Sequence, residues 1–267
     1  MPETELESWP RPHFVQLPLS GLYFFVVYGA LEETYPTIPQ QEYQSNGLPN
    51  GLQLLYHSLG ERAELRMHFQ HGASWENFCR ESPIVVDALQ QSPTCLALRG
   101  ELPDANHLDS LRDCIGLIMY LLDHGGTAVV DVLTGNWYGP LDWRLKVFDG
   151  GIAGSNSLIT FQSIEEQPGK RHLYTRGMRR FARPDLSIEN VDAADESSRQ
   201  AILEYLAQSM IAGGSIPNGQ ALSFPELGIE FTCHWQGGLE DPKFYNFYIR
   251  LTAIHKKGSS AESVGQN

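Results

Sequence analysis

Positive charge is scarce in this chain. Nineteen Lys and Arg stand against 32 Asp and Glu in 267 residues, a formal net charge of −13. Proteins that bind nucleic acid need an excess of cations to neutralise phosphates, so this balance argues against a nucleic-acid partner and suits a basic protein instead. Cysteine is scarce too. Its four positions, Cys79, Cys95, Cys114 and Cys233, are far apart and include no CxxC pair, which argues against a zinc ribbon or a dense disulfide framework. Long hydrophobic runs are missing. Leu22 to Tyr28 and Ile115 to Leu122 are the most apolar stretches, and both fall short of the about 20 residues that a membrane-spanning helix needs. The first residues, MPETELESWPRPHF, lack the apolar core of a secretory signal, so the expectation is a cytoplasmic protein with no membrane partner. GxGxxG, the Walker A lysine, HExxH and GxSxG are all missing as well, which leaves dinucleotide, P-loop, zincin and hydrolase-elbow chemistry without its core residues. No cofactor and no metal are expected, and whether the protein is an enzyme stays open, with the balance toward not.

What is present is one concentrated basic stretch. Lys170, Arg171, Arg176, Arg179, Arg180 and Arg183 place six of the nineteen cations within fourteen positions that hold no Asp or Glu. Guanidinium forks grip phosphate or carboxylate through paired hydrogen bonds, so these six, with His172 as the nearest candidate base, are the expected anion- or partner-binding residues. A second reading has the same arginines neutralise the carboxylates that follow, Asp185, Glu189, Asp192, Asp195 and Glu196. Gly177 and Pro184 oppose a long helix. The spacing predicts a strand over 172–176, a turn at Gly177 and a one-turn segment closed by Pro184-Asp185.

Periodicity elsewhere predicts an α+β protein of two related halves, each a mostly antiparallel sheet with helices packed on one face. Strands are expected over 22–29, 52–58, 63–70, 94–99, 127–133, 228–235 and 244–251. The arms at 52–58 and 63–70 read as a hairpin. Helices are expected after Ser74, from Pro83, from Asn106 and over 194–211. The halves fall at 12–149 and 158–254, joined by the glycine-rich linker 149–157, with mobile tails at 1–11 and 255–267. Arg99-Gly100, Pro103-Asp104, a helix and Gly125-Gly126 answer to Arg176-Gly177, Pro184-Asp185, a helix and Gly213-Gly214. That correspondence would make the arginine-rich stretch an insertion at a strand-to-helix loop.

Other candidates are weaker. His68 and His71 would need a third ligand to hold a metal. Cys114 sits inside an apolar helix and reads as an inert thiol. Trp137, Tyr138, Pro140 and Trp143 could stack a base or a sugar, or anchor a packed loop.

At LYTRGMRRFARPDLSI, between two helices, the chain resembles an uncharacterised bacterial protein family of unknown function. The likeness covers 95–235 and rests on Tyr174, Gly177, Met178, Phe181, Pro184 and Asp185. It implies bacterial origin and an α+β fold, and brings no catalytic residue. Families of this general kind, acidic and cytoplasmic, imply an immunity-type protein that neutralises a basic partner. The alternative is a transferase or hydrolase acting on a phosphorylated or carboxylated small molecule held by the arginines.

Overall fold

The computed structural model describes residues 5–34, 37–60, 64 and 67–254. Two sheets organise them. The first is five-stranded in the order β2-β3-β1-β4-β5, from β1 (Ser20–Gly29), β2 (Gln53–Ser58), β3 (Thr94–Pro103), β4 (Gly126–Asp131) and β5 (Asn136–Tyr138), and every pair in it is antiparallel. The second is six-stranded in the order β6-β7-β8-β11-β10-β9, from β6 (Thr160–Gln167), β7 (Lys170–Arg176), β8 (Asp185–Asp192), β9 (Ala221–Phe224), β10 (Ile229–Gly238) and β11 (Asn246–Ala253). Only β8 and β11 run parallel there. The fold is α+β, with two mostly antiparallel sheets and helices against them.

Because side chains alternate across a strand, a strand buried on both faces sends neighbouring residues to different cores. In β1, Phe25 and Val27 join the large core with α3 (Asp109–Asp123), whereas Val26 and Tyr28 join a second core with Phe78 and Leu89 of α1 (Gly72–Glu81) and α2 (Pro83–Gln90). Helices therefore cover both faces of the first sheet. The large core continues without a break into the second sheet, through Met178 and Phe181 to Leu186, Ile188 and Ile249, and onto Leu203, Leu206 and Met210 of α4 (Glu196–Ile211).

Several sequence expectations shift. Of the expected hairpin arm 63–70, residues 63, 65 and 66 lie outside the described residues; β2 pairs with β3, and Phe69 packs edge-on against Phe24. The first helix starts at Gly72, two residues before the expected cap, and Ser74 Oγ points to Asn136 instead. The linker 149–157 is packed, with Gly154 and Ser155 buried in short helical turns. Within the expected tail 1–11, Trp9 and Arg11 are tied down. The backbone N–H of Trp9 donates to Asp109 and that of Arg11 to the Asn106 carbonyl, while the Arg11 side chain is buried. The tail 255–267 lies outside the described residues. The apparent repeat breaks at Pro184-Asp185, which opens β8 where Pro103-Asp104 leads into a helix. In both halves a strand-helix passage ends on a parallel strand of the same sheet, yet one strand, β1, separates β3 from β4 while two, β11 and β10, separate β8 from β9.

Candidate functional site

The arginine-rich stretch lies where the two sheets meet. β7 ends at Arg176, and Gly177 then takes φ 103°, a left-handed backbone that favours glycine. An added Cβ there would also stand 2.5 Å from the Leu158 carbonyl oxygen. One 3₁₀ turn, Met178–Phe181, follows, and Ala182 at φ 51° swings the chain into β8. This turn lies against β1, and a Cβ added at Gly21 would come within 2.6 Å of the Arg180 carbonyl oxygen.

The five arginines of the stretch have separate fates. Arg180 is wholly buried, and its Nη2 lies 2.6 Å from both carboxylate oxygens of Asp131 at the end of β4. Its guanidinium stands over the Phe25 ring, 4.9 Å from the centroid. Arg183 is wholly buried too. It donates to Asp104 at 2.8 Å and to the carbonyls of Val15, Gly213 and Gly214. Asp104 is shared. Arg11 reaches its other oxygen at 2.7 Å and caps the end of α4 through the Met210 and Ile211 carbonyls, where helix carbonyls lack internal partners and the dipole favours a cation. Arg11 is thus a member of the cluster that the sequence reading placed in a tail, and no local motif marks it. Its pKa is lowered, chiefly by burial and then by repulsion from Arg183.

Arg179 and Arg176 keep some exposure. Arg179 donates from Nη1 to the Tyr245 carbonyl and from Nη2 to Glu101, both at 2.8 Å. Arg176 stands at the end of β7, where its charge acts on Asp185. Two members of the stretch do meet carboxylates that follow in sequence. Lys170 pairs with Asp192 and Arg171 with Glu196. Arg179, Arg180 and Arg183 instead reach carboxylates of the first half.

Asp185 faces inward without an arginine salt bridge. It accepts hydrogen bonds from Thr175 Oγ1, the Met178 N–H and Asn246 Nδ2. Burial pushes its pKa up to about 7, a rise opposed by the Asn246 and Thr175 bonds and by Arg176. The carboxyl ties β7, the 3₁₀ turn and β11 together.

His172 belongs to a different group. Its Nε2 lies 2.8 Å from Ser187 Oγ, and its Nδ1 lies 2.8 Å from both Glu166 Oε1 and Lys243 Nζ. A protonated Nδ1 donates to the carboxylate, and an unprotonated one accepts from the ammonium. The order Ser-His-Glu has the connectivity of a nucleophile, its base and an orienting acid. Its burial is inverted. Ser187 is wholly buried while Glu166 is exposed, so the hydroxyl is not presented to a substrate and the group serves to join β6, β7 and β8. No sequence signal marked this set, because the partners come from three strands.

The remaining candidates are core. Trp143 is wholly buried edge-on to Phe25 and Tyr138, and Trp137 stacks on Tyr28 and Phe78. Cys114 is buried in α3, which raises its thiol pKa. Among the described residues, no three or more His, Cys, Asp or Glu come together to hold a metal, and no helix is long and apolar enough to cross a membrane. Neither a family model, nor a curated protein, nor a solved structure matches this chain.

Proposed function

We propose that this is a non-enzymatic binding protein of the cytoplasm that offers an acidic surface to a basic partner protein, in the way an immunity protein neutralises a toxin domain. One observation carries the reading: Arg180 and Arg183 of the concentrated basic stretch, with Arg11 and Arg112 from elsewhere in the chain, are spent inside the molecule. Arg11, Arg112, Arg180 and Arg183 are buried against Asp104, Asp113 and Asp131. Four cations against three carboxylates leave +1 inside, so the rest of the chain carries −14 toward the net −13. Glu76, Glu81 and Asp87 stand exposed over the outer face of the first sheet, and Glu165 and Glu166 on the edge strand of the second. A field of one sign steers an oppositely charged partner and weakens as salt screens it.

The test is capture from native cell extract at low salt and at about 0.5 M salt, where the screening length falls to a few ångströms, followed by reconstitution with the purified partner. The expected result is a Lys- and Arg-rich protein that binds saturably, more weakly as salt rises, and more weakly still to a Glu76→Lys, Glu81→Lys, Asp87→Lys variant. Recovery of no partner that reconstitutes in purified form would remove the reading.

A further inference from the structure

Arg179 differs from its neighbours because it faces a cleft. The start of β1, Glu101 of β3, Leu239 of the turn after β10, and Asn246 and Phe247 of β11 line a space of about 170 Å³ with Arg179 on its wall and Arg183 behind. That space opens to solvent and admits a small oxyanion. The Arg179 side chain keeps 13% exposure, and its one anionic partner, Glu101, keeps 47%. Glu101 reaches Nη2 alone through one oxygen, while the neighbouring donor Nε is buried without a partner. The side of the guanidinium that takes a two-oxygen anion in parallel bonds is therefore half used. Behind it, Arg11 and Arg183 share the single carboxylate of Asp104, an excess positive charge offset in part by helix-end carbonyls. In a protein of net charge −13, this is a local reversal of sign.

We propose that the Arg179 cleft is a binding site for a small oxyanion, a carboxylate or a phosphate, which displaces Glu101 from the guanidinium and supplies the second oxygen that Nε lacks. Glu101 is the chain's own occupant. As an exposed ion pair it is a weak competitor, one that lowers apparent affinity by up to about fivefold. The site is independent of the acidic surface proposed for a partner protein, and either can fail without the other.

The probes are phosphate and succinate, titrated by calorimetry and thermal shift at low ionic strength against sodium chloride of matched ionic strength. The expected result is saturable binding to the wild type by at least one of the two, and the responding probe assigns phosphate or carboxylate. Glu101→Gln, which removes the competitor and keeps the shape, should tighten binding several-fold. Arg179→Gln should abolish it, and Arg179→Lys, which keeps the charge but loses the fork, should weaken it. Folding of each variant is checked by its far-ultraviolet circular dichroism. Failure of both probes to bind wild type and Glu101→Gln overturns the proposal. So does weaker binding by Glu101→Gln, or binding that survives in folded Arg179→Gln.

Discussion

A buried carboxyl that is not paired with an arginine makes stability depend on pH in a way that can be signed. Asp185 titrates near 7 when folded against an ordinary value of 3.8, because burial disfavours its charged form. Between those values the folded protein holds a proton that the unfolded chain has released, so this residue's contribution falls as pH rises from about 4 through 7. Asp185→Asn should therefore flatten the profile. The difference in melting temperature, wild type minus variant, is expected to decline between about pH 4 and pH 7 and to level off above that; a constant or rising difference would contradict the burial argument. The same residue shows why part of the site was hidden in the sequence. In the sequence His172 reads as the start of a strand and Asp185 as the close of a one-turn segment, with nothing to mark either, or Ser187, as buried; Thr175, Asn246, Glu166 and Ser187 complete the hydrogen bonds of Asp185 and His172. The arginine cluster itself was visible as a departure from an acidic background. Its direction was not, since Asp104 and Asp131 lie 79 and 49 positions from their partners Arg183 and Arg180.

Among the elements, those with a strong hydrophobic period were legible. β1, β4, α3 and α4 fall close to where aromatic, β-branched and heptad-like spacing placed them. β6 and β8 were not expected, the first because TFQSIEEQ is a largely exposed edge strand and the second because its buried face is partly polar. The hairpin expected from 52–58 is not formed among the described residues, for another reason. β2 finds its partner in β3, beyond two helices, and alternation alone cannot tell a local partner from a distant one. The contact of β1 with the 3₁₀ turn gives a prediction of unusual sign. Alanine in place of a strand glycine ordinarily stabilises by about 0.5–1 kcal/mol. At Gly21 the new Cβ meets the Arg180 backbone at 2.6 Å, and backbone has little room to give. Gly21→Ala should instead destabilise by about 1–3 kcal/mol in urea unfolding, the usual range for overpacking. An unchanged or raised midpoint would mean that the turn does not bear on β1.

At the scale of the whole molecule, the arginine-rich stretch joins two sheets into one body. Arg180 reaches from the second half to Asp131 of the first, Arg183 to Asp104, and the hydrophobic core passes between them through Met178 and Phe181. Folding Arg180 and Arg183 inward, with Arg11 and Arg112, leaves the outside more acidic, which is the basis of the proposed partner binding. Removing one member of a buried ion pair strands the other without compensation, at about 3–5 kcal/mol. Arg180→Met should therefore weaken both sheets together, although the guanidinium it removes meets the first through Asp131 and Phe25. Native-state hydrogen exchange read by mass spectrometry resolves this, because the slowest amides report the free energy of global opening. In the wild type, the slowest amides of β1 and of β8 should share one opening free energy, and in Arg180→Met both should fall by the same amount. If β1 keeps its protection while β8 loses its own, or the reverse, the two sheets are separate units and the arginines do not join them.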